Sequence, residues 1–164
     1  MPPAYPPADP ELAATFRAAM RRLAASVTVV VARGDEGPVG MAATSVTSLT
    51  VDPPAVLVCV NRTAGLHALL EPTAPLSVNL LSRSQRDVSA AFGGGVPREQ
   101  RFSIGDWREG ENGLPMLEGA QANLGCVIDT MLAYGTHSIV IARVITARIG
   151  GEVAPLVYQD GGYL

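Results

Sequence analysis

A short polar segment, Ala42–Ser48, has residue types suited to binding a planar or anionic ligand. It reads AATSVTS, so hydroxyl side chains alternate with small and apolar residues. Hydroxyls donate and accept hydrogen bonds, and small side chains let a ligand approach backbone N–H groups. The segment lies between two strand-like runs, one beginning at Val39 and the other spanning Ala55–Val60. It is therefore a candidate ligand site. A Ser/Thr-rich edge strand is the alternative interpretation, because Thr is common in strands.

The other reactive residues exclude several kinds of catalysis. All 12 basic residues are arginine, so the chain has no lysine for a pyridoxal Schiff base, a P-loop or a lysine nucleophile. His67 and His137 belong to no cluster with metal-ligand spacing. Ser45 and Ser48 lack a G-x-S-x-G elbow, and the run Gly93-Gly94-Gly95 lacks the spacing of a dinucleotide fingerprint. A chain with such a polar segment and no catalytic constellation is one in which a bound cofactor could carry the reaction.

The two cysteines are predicted to be reduced core residues. Cys59 and Cys126 both lie in apolar runs, where a free thiol usually behaves as a small buried hydrophobe. A nucleophilic role for Cys59 would need a neighbouring base and polar surroundings, which its sequence context, Val-Leu-Val-Cys-Val, does not offer.

Composition limits the class of protein. The 164 residues suffice for one domain, and 48% hydrophobic against 16% charged residues predicts a covered surface such as a subunit interface. A net charge of −3 and a pI near 5.3 argue against nucleic-acid or anionic-membrane binding. The chain shows no signal-peptide pattern and no apolar run approaching ~20 residues, so we expect a soluble cytoplasmic protein.

The elements that position the polar segment can be predicted in chain order. Residues 1–10 are rich in proline and predict a flexible arm, and residues 11–164 predict a single domain. Asp9 can cap a helix that has Pro10 at its first position and apolar residues at helical spacing as far as Arg22. Turn residues at 34–38 then predict a hairpin between two strands.

The second half predicts more strands than helices. Thr63 could cap a short helix, Leu76–Leu81 reads as a strand, and a helix is expected over Arg83–Phe92. The glycine-rich stretch Gly93–Leu114 predicts a long excursion anchored by two aromatic residues. Two long strand-like runs and a short one complete a total of about seven strands and three helices, without Rossmann alternation, which favours an antiparallel barrel.

A succession of motifs then resembles one family. The motifs are GMAATSVTSLTVDPPAVLVCVNRTAGLH, LSVNLLSRSQ, Arg101-Phe102, NGLPMLEGAQANLGC, GTHSIVIARV and PLVY followed by Gly162-Tyr163. Their order from about Phe16 to the C-terminus resembles the short-chain flavin reductases, the FMN-binding split-barrel reductases that feed two-component monooxygenases. The resemblance implies a mainly β fold, a six-stranded antiparallel Greek-key split β-barrel with about three flanking helices, and a homodimer.

The resemblance also implies which residues bind FMN or FAD. Ala43, Thr44, Ser45, Val46 and Thr47 match positions that line the isoalloxazine ring. A second group, formed by Asn61, Arg62 and Thr63, matches the segment around the ribityl chain and phosphate, where an arginine contacts an anion. Asn79 and Leu80 match a strand end near the flavin edge.

His137 matches the histidine of the family's Gly-Asp-His motif beside the nicotinamide site. Two departures from the family pattern stand out. Thr136 replaces the Asp that would bias the imidazole tautomer. Gly125 stands where family members often carry Glu in a Leu-Glu-Cys triplet.

The implied activity is that of an NAD(P)H:flavin oxidoreductase, which transfers hydride from NADH or NADPH to FMN or FAD and supplies reduced flavin to a partner monooxygenase. Two alternatives remain open at this point. One is a flavin- or heme-binding carrier of the same fold without reductase turnover. The other is a barrel recruited to another biosynthetic or structural role. The sequence does not choose between NADH and NADPH or between FMN and FAD.

Overall fold

The computed structural model describes residues 5–164, so Met1–Ala4 of the predicted arm lie outside the described residues. Residues 5–9 have no regular structure, and Tyr5 packs on Tyr134 with ring centroids 4.7 Å apart. Within this range no helix has the length and apolar character needed to cross a membrane.

The first helix forms where the sequence predicts it. Helix α1 spans Pro10–Met20, and the Asp9 carboxylate accepts a hydrogen bond of 3.0 Å from the Glu11 N–H, as expected of an N-cap. The helix begins one residue before the predicted boundary between the arm and the domain. None of its residues is buried, although its apolar side chains share one face.

Twelve strands and one further short α-helix follow. The strands in chain order are β1 Ala25–Ser26, β2 Thr28–Gly34, β3 Gly37–Ala43, β4 Val46–Val51, β5 Pro54–Asn61, β6 Pro75–Leu80, β7 Trp107–Glu109, β8 Pro115–Leu117, β9 Ala122–Tyr134, β10 His137–Ile149, β11 Val157–Gln159 and β12 Gly162–Tyr163. Helix α2 spans Arg86–Ala90 and continues into a π-helical turn, Ala91–Gly95, while 3-10 helices cover His67–Leu69 and Arg98–Ser103.

The main sheet has seven strands, and all of its pairings are antiparallel. Its order is β3-β2-β6-β9-β10-β5-β4, and the small strands form two side sheets, β1-β11-β12 and β7-β8. The prediction of a mainly β, antiparallel fold with few helices is confirmed. The expected strand number of six is corrected to seven, because β4, read from the sequence as a polar segment, pairs with β5 as an edge strand.

The sheet curves so that its two edge strands come close to each other at one end. The edge strands β3 and β4 follow each other in the chain, and only Thr44 and Ser45 separate them. Two residues span at most ~10 Å between Ala43 and Val46, so one end of each edge strand must lie close to the other. Within the described residues no hydrogen-bonded ladder joins β3 to β4, and the closed barrel predicted from the resemblance is not formed by strand pairing.

Two apolar clusters fill the space on either side of the sheet. The larger lies inside the curve and contains Val30, Val58, Val78 and Ile128, none more than 1% exposed. The other packs Phe92 against Phe102 and Trp107, with ring centroids 5.0 and 5.2 Å apart. The aromatic anchors predicted for the glycine-rich excursion are therefore confirmed, and they hold that excursion against the outer face of β2 and β3.

Candidate functional site

The two-residue link between β3 and β4 is fastened to β5 at one point. The Cys59 N–H donates to the Ser45 carbonyl at 3.0 Å, and the Ser45 hydroxyl donates to the Cys59 carbonyl at 2.8 Å. These bonds continue the β4–β5 ladder by one residue, so the link leaves the sheet edge at Thr44. Ser45 thereby fixes the β4 end of the link to β5.

The link leaves hydrogen-bond donors free. Within the described residues, neither the Thr44 nor the Ser45 N–H donates a hydrogen bond, and the Thr44 hydroxyl has no partner. The neighbouring carbonyl of Ala43 is occupied, because it accepts a bond of 2.8 Å from the Thr28 hydroxyl. An exposed segment with free N–H groups and a blocked carbonyl offers donors to a ligand rather than acceptors.

These donors border an open groove of about 640 Å³, which we call the main groove. Thr44–Ser48 form one side, the stretch from Leu23 to Ser26 forms another, and Leu57, Leu80 and Leu124 supply apolar surface. None of the residues that line it carries a charge. An apolar groove with a few convergent donors suits a planar ligand with polar edges.

Cys59 also lines the main groove, which corrects one expectation. The sequence predicted both thiols to be buried core residues, and Cys126 is, at 0% exposure. Cys59 is half-buried instead. Its neighbours Val58 and Val60 point into the core, so strand alternation turns Cys59 outward.

A polar corner lies at the end of β5. In the β5–β10 ladder His137 is directly opposite Asn61, and the Arg62 N–H donates to the Thr136 carbonyl at 2.9 Å. The Asn61 side-chain oxygen accepts bonds of 2.9 Å from both the N–H and the hydroxyl of Thr63. Thr63 was predicted to cap a short helix, but the 3-10 helix His67–Leu69 has no side-chain cap. The four predicted residues of this corner are therefore neighbours.

The corner continues the wall of the main groove. Leu57, Cys59 and Asn61 alternate along one face of β5, because each intervening residue points to the core. Two residues along a strand cover ~7 Å, so Asn61 lies about that far beyond Cys59. A ligand in the main groove can reach both the Thr44 donors and the Asn61 corner.

Asn79 and Leu80 are near each other in sequence but face different surroundings. Leu80 lines the main groove. The Asn79 side chain is 0% exposed; its oxygen accepts from the Leu117 N–H at 3.0 Å and the Asn123 amide at 2.8 Å, and its nitrogen donates to the Val29 carbonyl at 3.2 Å. Its polar atoms are engaged within the protein.

Some groove residues were not predicted from the sequence. Leu23–Ala25 and Leu124 line the main groove, as does Leu57. They are apolar residues in or beside strands, and their sequence context resembles that of core residues. Only the register of the strands reveals that these side chains face the groove.

A curved antiparallel sheet with an uncharged groove and free donors at its edge defines a mainly β domain with a groove suited to a planar ligand. The chain belongs to the family of flavin reductase like domains, whose family model matches residues 20–164. The resemblance inferred from the motifs is thus confirmed, and it extends over both the main groove and the Asn61 corner.

Three known proteins illustrate the relationship. The NADH-dependent FMN reductase RutF of Stutzerimonas stutzeri (strain A1501) is 38% identical over 154 residues, 94% of this chain and 88% of the relative. The reductase component of the FADH(2)-dependent resorcinol hydroxylase of Rhizobium sp. (strain MTP-10005) is 39% identical over 150 residues, 90% of this chain and 84% of the relative.

The third is a solved structure, the NADH:FAD oxidoreductase SgcE6 of Streptomyces globisporus C-1027 in complex with NAD and FAD fragments. It superimposes with a TM-score of 0.86 at 30% identity, covering 98% of this chain and 96% of that chain.

Proposed function

We propose that this protein is an NAD(P)H:flavin oxidoreductase that reduces FMN or FAD and supplies the reduced flavin to a partner monooxygenase. The observation that carries the proposal is the pair of free N–H groups on Thr44 and Ser45 beside an uncharged groove. Membership of the flavin reductase family supports it, since relatives named as FMN reductases and as a hydroxylase reductase component align over nearly the whole chain.

The residues around the link fit an isoalloxazine ring. The ring has carbonyl oxygens along one edge, and the Thr44 and Ser45 N–H groups would donate to them. The backbone of Ala43 and the side chains of Val46 and Thr47 would pack beside the ring. Donors held in a water-poor groove stabilise negative charge on the ring, which favours its reduced form.

The Asn61 corner fits the polar tail of the flavin. Arg62 donates through one guanidinium nitrogen to the Gly135 carbonyl at 3.4 Å, which leaves its other N–H groups for a phosphate. Asn61 and Thr63 would complete this part of the site. At the far edge of the ring, Leu80 would supply apolar contact, whereas any contribution of Asn79 would come from its backbone.

His137 would position the nicotinamide ring. It is the first residue of β10, lies opposite Asn61 and is exposed to solvent. When bound, the flavin supplies the redox chemistry, since it accepts hydride from NADH or NADPH. The protein has to bring the two rings into contact and exclude water between them, and this requires no side-chain base.

Three further features belong to the proposal. The curved seven-stranded sheet would correspond to the family's Greek-key split barrel. Residues 1–10 would act as an arm and residues 11–164 as the flavin domain. The protein would be a homodimer, because α1 leaves Leu12, Phe16 and Met20 65%, 61% and 46% exposed on one face.

The test is the oxidation of NADH and of NADPH by purified protein, followed by the loss of their near-ultraviolet absorbance with and without added FMN, FAD or riboflavin. We expect oxidation that saturates with free flavin. Flavin binding without oxidation would instead indicate a carrier, and a protein that binds no flavin would contradict the proposal altogether.

A further inference from the structure

A second groove lies on the other side of Thr44. Its volume is about 330 Å³, and its walls come from α2, the π-helical turn after it and the C-terminal strands. Ala42, Thr44, Ser89, Gly93, Tyr158 and Tyr163 are among the residues that line it. We call it the tyrosine groove. Thr44 lines both grooves and forms the ridge between them.

The tyrosine wall is held in place by several contacts. The Tyr163 hydroxyl is 2.8 Å from the Ser89 hydroxyl, and the Arg86 guanidinium lies over the Tyr163 ring at 5.7 Å. Arg86 also donates to the Leu164 carbonyl at 3.3 Å. The ring of Tyr158 packs edge to face on Tyr163, with centroids 5.6 Å apart, and remains 37% exposed. An aromatic surface is thus presented to the groove in a fixed orientation.

The chemistry of the groove favours a neutral planar ring. None of its lining residues is charged, so it offers no partner for a phosphate or a carboxylate. Gly93 contributes no side chain to the groove, and a Cβ added there would meet nothing within 4 Å. Aromatic side chains stack on nucleobases whatever their sequence, and nearby hydroxyls can bond the polar edges of a base.

We infer that the tyrosine groove binds the adenine base of a dinucleotide whose reactive half lies in the main groove. This inference rests on the proposed function, because it takes the main groove as the flavin site. A dinucleotide would cross the ridge at Thr44, whose hydroxyl has no partner within the described residues and can contact the linking diphosphate. The adenine could come from FAD or from NAD(P)H, which share this half of the molecule.

The test is to fill the groove from Gly93, one of its lining residues. Gly93→Phe places a large side chain in open space, and Gly151→Phe is the matched control, since a Cβ at Gly151 also meets nothing within 4 Å and Gly151 lines neither groove. Dissociation constants are measured for FAD and FMN, and KM values for NADH and reduced nicotinamide mononucleotide. We expect Gly93→Phe to weaken the binding of one dinucleotide on the order of tenfold and to leave the binding of both mononucleotides unchanged.

The outcomes separate the sources of the adenine. If Gly93→Phe weakens the binding of FAD alone, the groove belongs to the flavin. If it raises the KM for NADH alone, the groove belongs to the nicotinamide nucleotide. Unchanged binding of both dinucleotides overturns the inference, and so does an equal loss for FMN, which would place the isoalloxazine itself in this groove. Tyr158→Ala, at an exposed position, repeats the test if Gly93→Phe does not fold.

A separate titration keeps this inference distinct from the reductase activity. AMP is added to flavin-free protein and followed by NMR, with and without Gly93→Phe. Binding of AMP that is lost in the variant supports an adenine site even in a protein that oxidises no NADH. If AMP does not bind, and the protein reduces FAD and FMN equally well, the adenine site is overturned while the proposed reductase activity is retained.

Discussion

The Thr136 hydroxyl lies 2.9 Å from Nδ1 of His137. A hydroxyl both donates and accepts, whereas an aspartate carboxylate at this position would only accept. A carboxylate therefore fixes the proton of a neutral imidazole on Nδ1, but Thr136 also permits the tautomer with the proton on Nε2. The replacement thus changes which ring nitrogen can donate toward a nicotinamide.

We predict that Thr136→Asp shifts the neutral His137 ring toward the Nδ1–H tautomer, while Thr136→Ser leaves its tautomers as they are. Nitrogen chemical shifts of the imidazole, recorded at alkaline pH where histidine is neutral, report the change. The chain has only two histidines, and His67, whose Nε2 lies 2.9 Å from the Ser138 hydroxyl, serves as the internal reference. Identical His137 shifts in both variants would refute this role for Thr136.

Asn79 is predicted to matter for stability. Asn79→Leu removes the acceptor for the Leu117 N–H and the Asn123 amide, and it buries the Val29 carbonyl without this donor. Leaving buried polar groups unpaired costs ~1–3 kcal/mol each, so we expect the free energy of unfolding to fall by at least ~2 kcal/mol. Urea unfolding measures the change.

Asn112→Leu is the comparison for Asn79, because Asn112 is only half-buried and its amide donates to a single carbonyl, that of Leu76. Asn112→Leu should lower the free energy of unfolding by less than Asn79→Leu does. If the free energy of unfolding falls equally in the two variants, the burial of the Asn79 hydrogen bonds adds nothing to stability.

The two thiols should differ in reactivity. Burial raises the pKa of Cys126 to about 12, so below that pH the folded protein keeps this thiol protonated and unreactive. Cys59 is half-buried on the wall of the main groove. We expect iodoacetamide to label Cys59 alone in the folded protein and both cysteines after unfolding, with mass spectrometry as the measurement.

Bound FMN should slow the labelling of Cys59. Cys59→Ser removes the folded-state label and serves as the control for its assignment. Rapid labelling of Cys126 under native conditions, or labelling of Cys59 that is indifferent to saturating FMN, would contradict the placement of these residues.

The exposed face of α1 is predicted to pack against a second copy of the chain. Phe16→Glu should convert the dimer into a monomer, because a charge cannot be buried unpaired in an apolar interface. Ala14→Glu, on the opposite side of the helix, should leave the dimer intact. Light scattering gives the mass of each variant; a wild-type monomer at micromolar concentration would rule out the interface.

Helix α1 shows what local sequence can and cannot predict. Its start at Pro10 and its cap at Asp9 follow from local chemistry, and both are present. The apolar spacing of Leu12, Phe16 and Met20 correctly predicts a helix with one apolar face. It does not say what that face contacts, and in a single chain the face contacts solvent.

The strands of the site also combine features that the local sequence predicts with features that depend on distant residues. The edge-strand interpretation of the polar segment is confirmed, because β4 is an edge strand paired with β5, and residues of the same segment line the main groove, where the ligand site is proposed. The pairing of Asn61 with His137 depends on the register of β5 and β10, which neither strand encodes alone. For Asn79 the resemblance implies a position near the flavin edge, whereas its burial follows from the distant β8 segment, whose Leu117 N–H it binds.

Gly125 can now be explained from its neighbours. It lies opposite Thr146 in the β9–β10 ladder, and a Cβ at this position would collide with the Thr146 hydroxyl and come within 3.3 Å of the Met116 methyl group. A glutamate here would therefore require different residues in its surroundings. The departure from the family pattern reflects local packing that the sequence alone does not reveal.

The Thr44-Ser45 link also bears on how the protein avoids aggregation through its sheet edges. An open sheet has two edges with unpaired backbone groups, and such edges can recruit strands from neighbouring chains and start aggregation. Here the two edge strands are consecutive in the chain, so the link brings one end of each edge close to the other, and the bonds of Ser45 to Cys59 extend the pairing of β4 with β5. The segment proposed to bind flavin thus also joins the two edges of the sheet at one end, and a bound flavin would cover the donors of the link.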